Sequence, residues 1–346
     1  MTSEDIHSSD PYISVIIFGY DRKRHIEEAF FSVINQDIDP ESFEIIMVTN
    51  FETSFLNITE FRKIGFNITD IILEGHIGMF IQEAIRIAKG ELVCFLDDDD
   101  TFLPMKLKHV RELFLSNPNL GYYSNDYIEI DEESKQVEKA VALYQPYRRR
   151  SKSFLINRSS KWEDILNFSK LHGHAFNSTI TIRKEIIFSY QSLLRHVLRT
   201  EDEVLFCFAL DSGRDLLLDD LSLTGYRLSI DGSSHISQYG SIDLQKRCDT
   251  LSKELKTILN LLENRSLFYS SHSIKILKLE LVRDAMISGA VCTGKTKVAS
   301  EGLVIELLKM VGTHFDASYM LLVIVYVVSK ISRELSRRIY VMFGAR

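Results

Sequence analysis

Proline and glycine are scarce in this chain, at 5 and 16 of 346 residues, which leaves little room for flexible linkers, low-complexity tracts or a collagen-like repeat. Basic charge is not in excess. Against 41 Lys+Arg stand 48 Asp+Glu, a net of −7, so no global positive field draws nucleic acid to the surface. Cysteine is sparse and dispersed: Cys94, Cys207, Cys248 and Cys292 never reach metal-knuckle spacing. Cys94 and Cys207 sit inside apolar runs and read as buried free thiols, which suits a reducing, cytoplasmic setting. The ten apolar residues of Tyr319–Val328 fall short of the roughly 20 that a membrane-spanning helix needs. Met1 to Asp10 is polar and acidic rather than leader-like, and residues 1–11 are expected to be disordered. Without a leader, the Asn-x-Ser/Thr triplets at Asn57, Asn67, Asn157, Asn177 and Asn264 are expected to be chance matches.

What is present is a globular composition, 45% hydrophobic and 26% charged, in a chain long enough for one large domain with an extension. Ile13–Phe18 is a continuous apolar, β-branched run, as expected of a strand buried on both faces. Ile26, Ala29, Phe30, Val33 and Ile34 then follow helical spacing. Strands are expected at Glu44–Thr49, Ile68–Leu73 and Glu91–Leu96, with a helix face from Ile77 to Ala88 closed by Gly90. This alternation predicts a mostly parallel sheet with helices on both faces, and ligands bind such sheets at the carboxyl ends of the strands. Further on, the pattern predicts a helix at Pro104–Leu115 and strands near Gly121–Ile130, Phe176–Ile182 and Asp215–Leu218. After about Gln238 the periodicity is helical to the end.

The strongest chemical signal is Asp97-Asp98-Asp99-Asp100 directly after an apolar strand. Adjacent carboxylates raise one another's pKa unless a cation neutralises them, and hard Mg²⁺ or Mn²⁺ suits oxygen ligands. On an extended segment Asp97 and Asp99 share one side, Asp98 and Asp100 the other. A solvated acidic turn capping the next helix through Asp100 or Thr101 is the alternative. A second acidic element, Thr200-Glu201-Asp202, precedes an apolar helical stretch, where acidic residues also serve as ordinary dipole partners.

The order of these features resembles the family 2 glycosyltransferases. The opening V-S-V-I-I-P-x-Y-N-R pattern is similar to Ile13 through Arg22, S-x-x-x-Q to Ser32 through Gln36, and E-I-I-V-V-D to Glu44 through Asn50. A-x-G-E…L-D-x-D-D is similar to Ala88 through Asp100, T-E-D to Thr200-Glu201-Asp202, and the closing Y-R segment to Tyr226-Arg227. The resemblance covers about residues 12–235. It implies an α/β fold of the GT-A type, Rossmann-like with a mostly parallel central sheet flanked by helices, over 12–237, and a C-terminal α-helical region over 238–346. It implies an inverting transferase of the hexosyltransferase type. The donor would be a nucleotide-sugar, a UDP-sugar favoured, and the acceptor a hydroxyl on a glycan or lipid-linked glycan. Asp97 and Asp99 would bind Mn²⁺ or Mg²⁺, Asp98 would touch the ribose or sugar, and Phe18, Tyr20, Arg22 and Asn50 would line the nucleotide pocket. Asp202 would be the catalytic base. Departures are Phe18-Gly19 for Pro-x, Asn50 for the usual aspartate, and Ser229 where many relatives carry His. His174 and His235 are candidate substitutes, although a lone His is more often structural. These departures leave a catalytically degenerate sugar-nucleotide-binding protein as the second reading.

Gly289 to Thr296 matches G-x-x-x-x-G-K-T letter for letter, but helical spacing precedes it where a phosphate loop needs a strand, so a P-loop ATPase is the least favoured reading. Lys330, Arg333, Arg337 and Arg338, interleaved with Ile331, Leu335, Ile339 and Met342, form a basic amphipathic pattern. It suits peripheral contact with the inner face of a membrane as well as docking on the catalytic domain or on a second subunit of a homodimer. The Arg148–Lys152 cluster reads as a solvated loop.

Overall fold

The computed structural model describes residues 12–137, 152–171, 176–228, 250, 253–254, 257–258, 260–261, 271–291, 303–312 and 317–339. His174, Ser229, His235, Arg148–Arg150, Cys248, Cys292, Asn264, residues 292–296 of the phosphate-loop match and the N-terminal residues 1–11 lie outside the described residues.

The strands are β1 (Ile13–Gly19), β2 (Phe43–Thr49), β3 (Asn67–Ile72), β4 (Leu92–Leu96), β5 (Thr101–Phe102), β6 (Leu120–Ile130), β7 (Phe154–Ile156), β8 (Ile180–Arg183) and β9 (Asp215–Arg227). They form one sheet in the order β3-β2-β1-β4-β8-β6-β9-β5, with β7 pairing β9. The run β3-β2-β1-β4 is parallel, β8 pairs antiparallel with β4 and β6, and β6 pairs parallel with β9. Central strands β1 and β2 are buried at every position, which is why both read as unbroken apolar runs. Successive residues feed opposite layers. Ile13, Val15 and Ile17 enter one core with Phe30, Val33 and Phe114, while Ile16 and Phe18 enter the other with Phe80, Phe95 and Leu205.

Helices α1 (Ile26–Ile34), α2 (Ile58–Lys63) and α4 (Lys106–Ser116) contribute to the first layer. Helices α3 (Ile77–Ile87), α5 (Trp162–Lys170), α6 (Lys184–Ser189), α7 (Gln191–Leu194) and α8 (Glu201–Asp211) contribute to the second. Seven consecutive residues of α8, Val204 to Leu210, are buried, so this helix is apolar on every side. The C-terminal helices complete its cover: α9 (Ser271–Val291), α10 (Leu303–Val311), α11 (Ala317–Ser329) and α12 (Arg333–Ile339). Ile276, Leu277, Met286, Leu307, Val311, Tyr319 and Tyr326 share one continuous core with Val204 and Phe208. One side of α11 thus docks on the catalytic layer, while Met320, Ile324 and Val327 stay exposed. The phosphate-loop match begins inside α9, after a long helix rather than a strand.

Two expected strands differ. Phe176–Ile182 is extended only from Ile180; Asn177–Thr179 forms a 3-10 turn after Phe176, which has φ 66°. The side chains of Asn177, Ser178 and Thr179 are spent on neighbours, and this turn aims them. The strand expected at Asp215–Leu218 runs on to Arg227, because β6 pairs along its length and β5 pairs with Thr224 and Gly225, while β7 pairs with its first part.

Lys106 opens α4 and is fully buried. Its Nζ donates to the Ser178 carbonyl and to Thr224 Oγ1 at 3.1 Å, and lies 3.9 Å from the Phe102 ring centroid. Burial pushes its pKa down to about 7, with Cys94 and Asp100 pulling the other way. In the unfolded chain a lysine titrates near ~10.4. Between those values the unfolded chain holds a proton that the folded chain lacks, so this group makes stability rise with pH, by at most about 1.4 kcal/mol per unit. Urea midpoints measured from pH 7.5 to 9.5 should therefore climb more steeply in the wild type than in Lys106→Met. Parallel curves would refute the assignment.

Candidate active site

The acidic turn follows β4 at the carboxyl edge of the sheet and caps no helix, since β5 comes next. Asp98 and Asp100 are 4% and 2% exposed, while Asp97 and Asp99 are half-buried; the segment is not extended as expected but turns, the Asp100 amide donating to the Asp97 carbonyl at 3.3 Å. Burial raises Asp98 and Asp100 well above the usual carboxylate range, and raises Asp97 to about 6 with help from Asp99. Three basic or polar devices hold the turn. Arg22 reaches over from the loop after β1 and forks across it, one Nη on Asp99 Oδ2 at 2.6 Å and the other on Asp98 Oδ1. Although burial opposes the charge, Asp99 and Asp98 hold this guanidinium well above its ordinary value. Arg227, its side chain fully buried, donates from its backbone N to Asp100 Oδ1 at 2.9 Å and from Nε to the Asp99 carbonyl at 2.6 Å. Its Nη2 continues to Glu28 Oε2 at 2.6 Å and Ser134 Oγ at 2.7 Å, tying α1 to the end of β9. Ser178 Oγ accepts from the Asp97 amide at 3.0 Å.

Helix α8 faces this turn with its amino end. Asn177 Nδ2 donates to Glu201 Oε1 at 2.8 Å, and the Asn177 side chain works against the rise of the Asp97 pKa. Burial raises Glu201 to about 8 and Asp202 to about 7; Asp97 is among the charges that add to both. The structure therefore brings together two segments about a hundred residues apart in the chain, Asp97–Asp100 and Glu201–Asp202. A carboxyl group poised near neutrality is suited to receive a proton.

The first loop and the end of β2 form the other rim. Asn50 Oδ1 accepts from the Asp21 amide at 2.9 Å and Asn50 Nδ2 donates to Asp21 Oδ1 at 2.6 Å, holding Asp21 at φ 57°. Asn50, which stands where the resembled pattern has Asp, is thus bonded to Asp21, which stands where that pattern has Asn. One carboxylate and one amide remain, with their places exchanged. Tyr20 is 51% exposed beside Phe80. Phe18 differs from expectation: it is 4% exposed and stacks on Phe95, so it supports the loop from the core rather than facing a ligand. Gly19 is required by close packing, since a Cβ there would meet Ile26 at 2.8 Å and Phe51 and Thr49 at 2.9 Å.

Among the described residues no three His, Cys, Asp or Glu side chains converge as a complete metal-ligand set. Hard divalent ions need only one or two carboxylates when phosphate and water complete the shell. The all-oxygen donor set of Asp97 and Asp99 fits that arrangement, and the buried Asp98 Oδ2, without a hydrogen-bond partner among the described residues, is a further oxygen at the turn open to a donor or cation. Residues that the sequence reading missed are Asn177, Ser178 and Lys106, and Arg227 was read only as part of the closing Y-R segment, with no role. Lys106 lies in a helix whose charged neighbours read as solvated.

Comparisons with known proteins bear on the fold and the family. A crystal structure of residues 1–349 of S. aureus TarS in complex with UDP-GlcNAc superposes with a TM-score of 0.57 at 16% identity, covering 94% of this chain and 89% of that one. The same fragment with UDP gives 0.54 at 14% identity, over 95% and 90%. At this identity the likeness shows the fold, the GT-A architecture with its C-terminal helices. An uncharacterized glycosyltransferase of Haemophilus influenzae is 30% identical over 112 residues, 32% of this chain and 37% of its own length. The poly(ribitol-phosphate) beta-glucosyltransferase of Bacillus spizizenii is 37% identical over 93 residues, 25% of this chain and 15% of its own length. The matched stretch therefore spans well under half of each of these relatives. The family profile described as Glycosyl transferase family 2 matches residues 14–193, more than half of the chain, and the chain belongs to that family.

Proposed function

We propose that this chain transfers a sugar, with inversion, from a UDP-sugar to an acceptor hydroxyl on a glycan or lipid-linked glycan. The observation that carries the reading is the juxtaposition of the acidic turn Asp97–Asp100 with the half-buried Asp202 at the start of α8, where Asn177 binds the neighbouring Glu201. The TarS structures with UDP-GlcNAc and UDP support a uridine nucleotide, and the name of the Bacillus relative adds a polyol-phosphate polymer to the acceptors worth testing.

In this reading Asp202 accepts the proton of the acceptor hydroxyl. The oxygen attacks the anomeric carbon as the bond from that carbon to the diphosphate breaks, and the nucleoside diphosphate departs. Arg22, already at the turn, is placed to meet diphosphate oxygens as charge grows on them. A Mg²⁺ or Mn²⁺ ion held by Asp97 and Asp99 would supply Lewis-acid stabilisation of the same charge. Tyr20 presents a ring for the base, and the Asp21–Asn50 clasp sets the loop that carries Tyr20 and Arg22.

A panel of nucleotide-sugars with either metal, scored by donor hydrolysis and transfer, tests the reading. Asp202→Asn should lower kcat by ~10²–10⁴-fold with donor affinity kept, and Asp99→Ala should abolish metal-dependent UDP binding. Equal loss of donor binding in Asp202→Asn would sink the base assignment. The clasp makes its own prediction. Asn50→Asp sets two carboxylates against each other and should weaken donor binding, whereas the exchange Asp21→Asn/Asn50→Asp should restore it, with a coupling of about 1 kcal/mol. Additive effects in calorimetry would contradict the pairing.

A further inference from the structure

We propose that Glu254 is a positioning residue for Asp202, the buried clamp through which the C-terminal region fixes the start of α8. The inference rests on the transferase reading above.

Thr200 is the N-cap residue of α8, yet its side chain makes no cap hydrogen bond to the helix. The usual threonine cap would accept from a first-turn amide. Here Thr200 Oγ1 instead donates to Glu254 Oε1 at 2.5 Å. The same oxygen accepts from the Thr200 amide and the Leu198 amide, each at 3.1 Å. Glu254 is fully buried and its Oε2 has no hydrogen-bond partner among the described residues, while its Oε1 serves three donors from a turn more than fifty residues earlier in the chain. Burying a carboxyl group costs several kcal/mol unless such donors offset the loss of water, which makes this a committed contact rather than an incidental one.

The turn is gripped from its other side too. The Gly78 amide of α3 donates to the Val197 carbonyl at 3.2 Å. A Cβ on Gly78 would lie 1.9 Å from the Leu194 carbonyl oxygen and 2.5 Å from that of Val197, so only glycine allows this approach. Val197 to Thr200 is thereby held between α3 and Glu254, and Asp202 follows two residues later. Because α8 supplies no side-chain cap of its own, the placement of its first turn depends on Glu254. A displacement of about 1 Å at a reacting group can cost ~100-fold in rate.

The test uses the full chain and four variants, E254Q, E254D, E254A and E254A/D202N. Gln keeps an acceptor oxygen in place; Asp withdraws it by one methylene; Ala removes it. The expected result is a kcat within about threefold of wild type for E254Q, and a loss of roughly 10–100-fold for E254D and E254A with the donor KM unchanged. E254A/D202N should be no slower than D202N alone, since both act through one group. A fall in thermal stability with kcat preserved, or parallel loss of kcat and donor binding, would overturn the proposal. If E254A does not fold, E254D decides: a wild-type kcat there refutes the role. Amide hydrogen exchange at Leu198 and Thr200 reads the clamp without any activity. Protection should be lost in E254A or E254D and kept in E254Q, and unchanged protection in every variant would overturn the clamp. Intact exchange behaviour in a wild type that transfers no sugar would instead count against the transferase reading.

Discussion

Carboxylates repel one another, and this fold gathers two runs of them, Asp97–Asp100 and Glu201–Glu203, at one edge of its sheet. In water such groups would ionise and separate. Here burial and mutual repulsion hold several of them partly protonated, and cations from distant segments close the charge balance. Arg22 supplies the exposed side and Arg227 the buried side, while the Lys106 amino group holds the Ser178 carbonyl beside the turn. The strands after which these residues sit are interior strands, so the edge cannot relax by moving backbone. The charges of the site are therefore fixed in place before any ligand enters.

The two rims of the site are built differently. On the donor side, Asp21 and Asn50 bond across the ends of β1 and β2, and Arg227 ties the end of β9 to α1. On the opposite side, Asp202 stands on a helix whose start is set by α3 and by a residue from beyond the sheet. The first rim is local to the parallel strands. The second depends on the helices that complete the core.

Much of the fold was legible in the sequence because its signals are periodic. Ile13–Phe18, Glu44–Thr49 and Glu91–Leu96 are buried on both faces and therefore apolar throughout, and the acidic turn stands out directly after such a run. Asp202 was legible only through its order relative to the other motifs, since acidic residues at a helix start are ordinary. The rest was not legible because it consists of single pairings over long separations. Arg22 bonds residues 76 and 77 positions away, and Lys106 reaches Thr224 across 118. No periodicity marks such partners. Phe18 was misjudged because a strand's last apolar residue looks the same whether it faces a ligand or the core. The Asn177–Thr179 turn was hidden in a run that reads as a strand.

The all-round apolar character of α8 has a consequence for how the chain is made. A ribosome releases the strands and α8 well before the segment that contains Tyr319 and Tyr326, which share the core with α8. Until those later residues emerge, α8 has no complete cover, and a nascent chain halted near its end would present a sticky, half-finished layer. Domains generally fold as units during synthesis, and exposed apolar surface invites aggregation. For this protein the unit that closes reaches at least from β1 to Tyr326, so α8 is sealed only after the segment that carries Tyr319 and Tyr326 has been made.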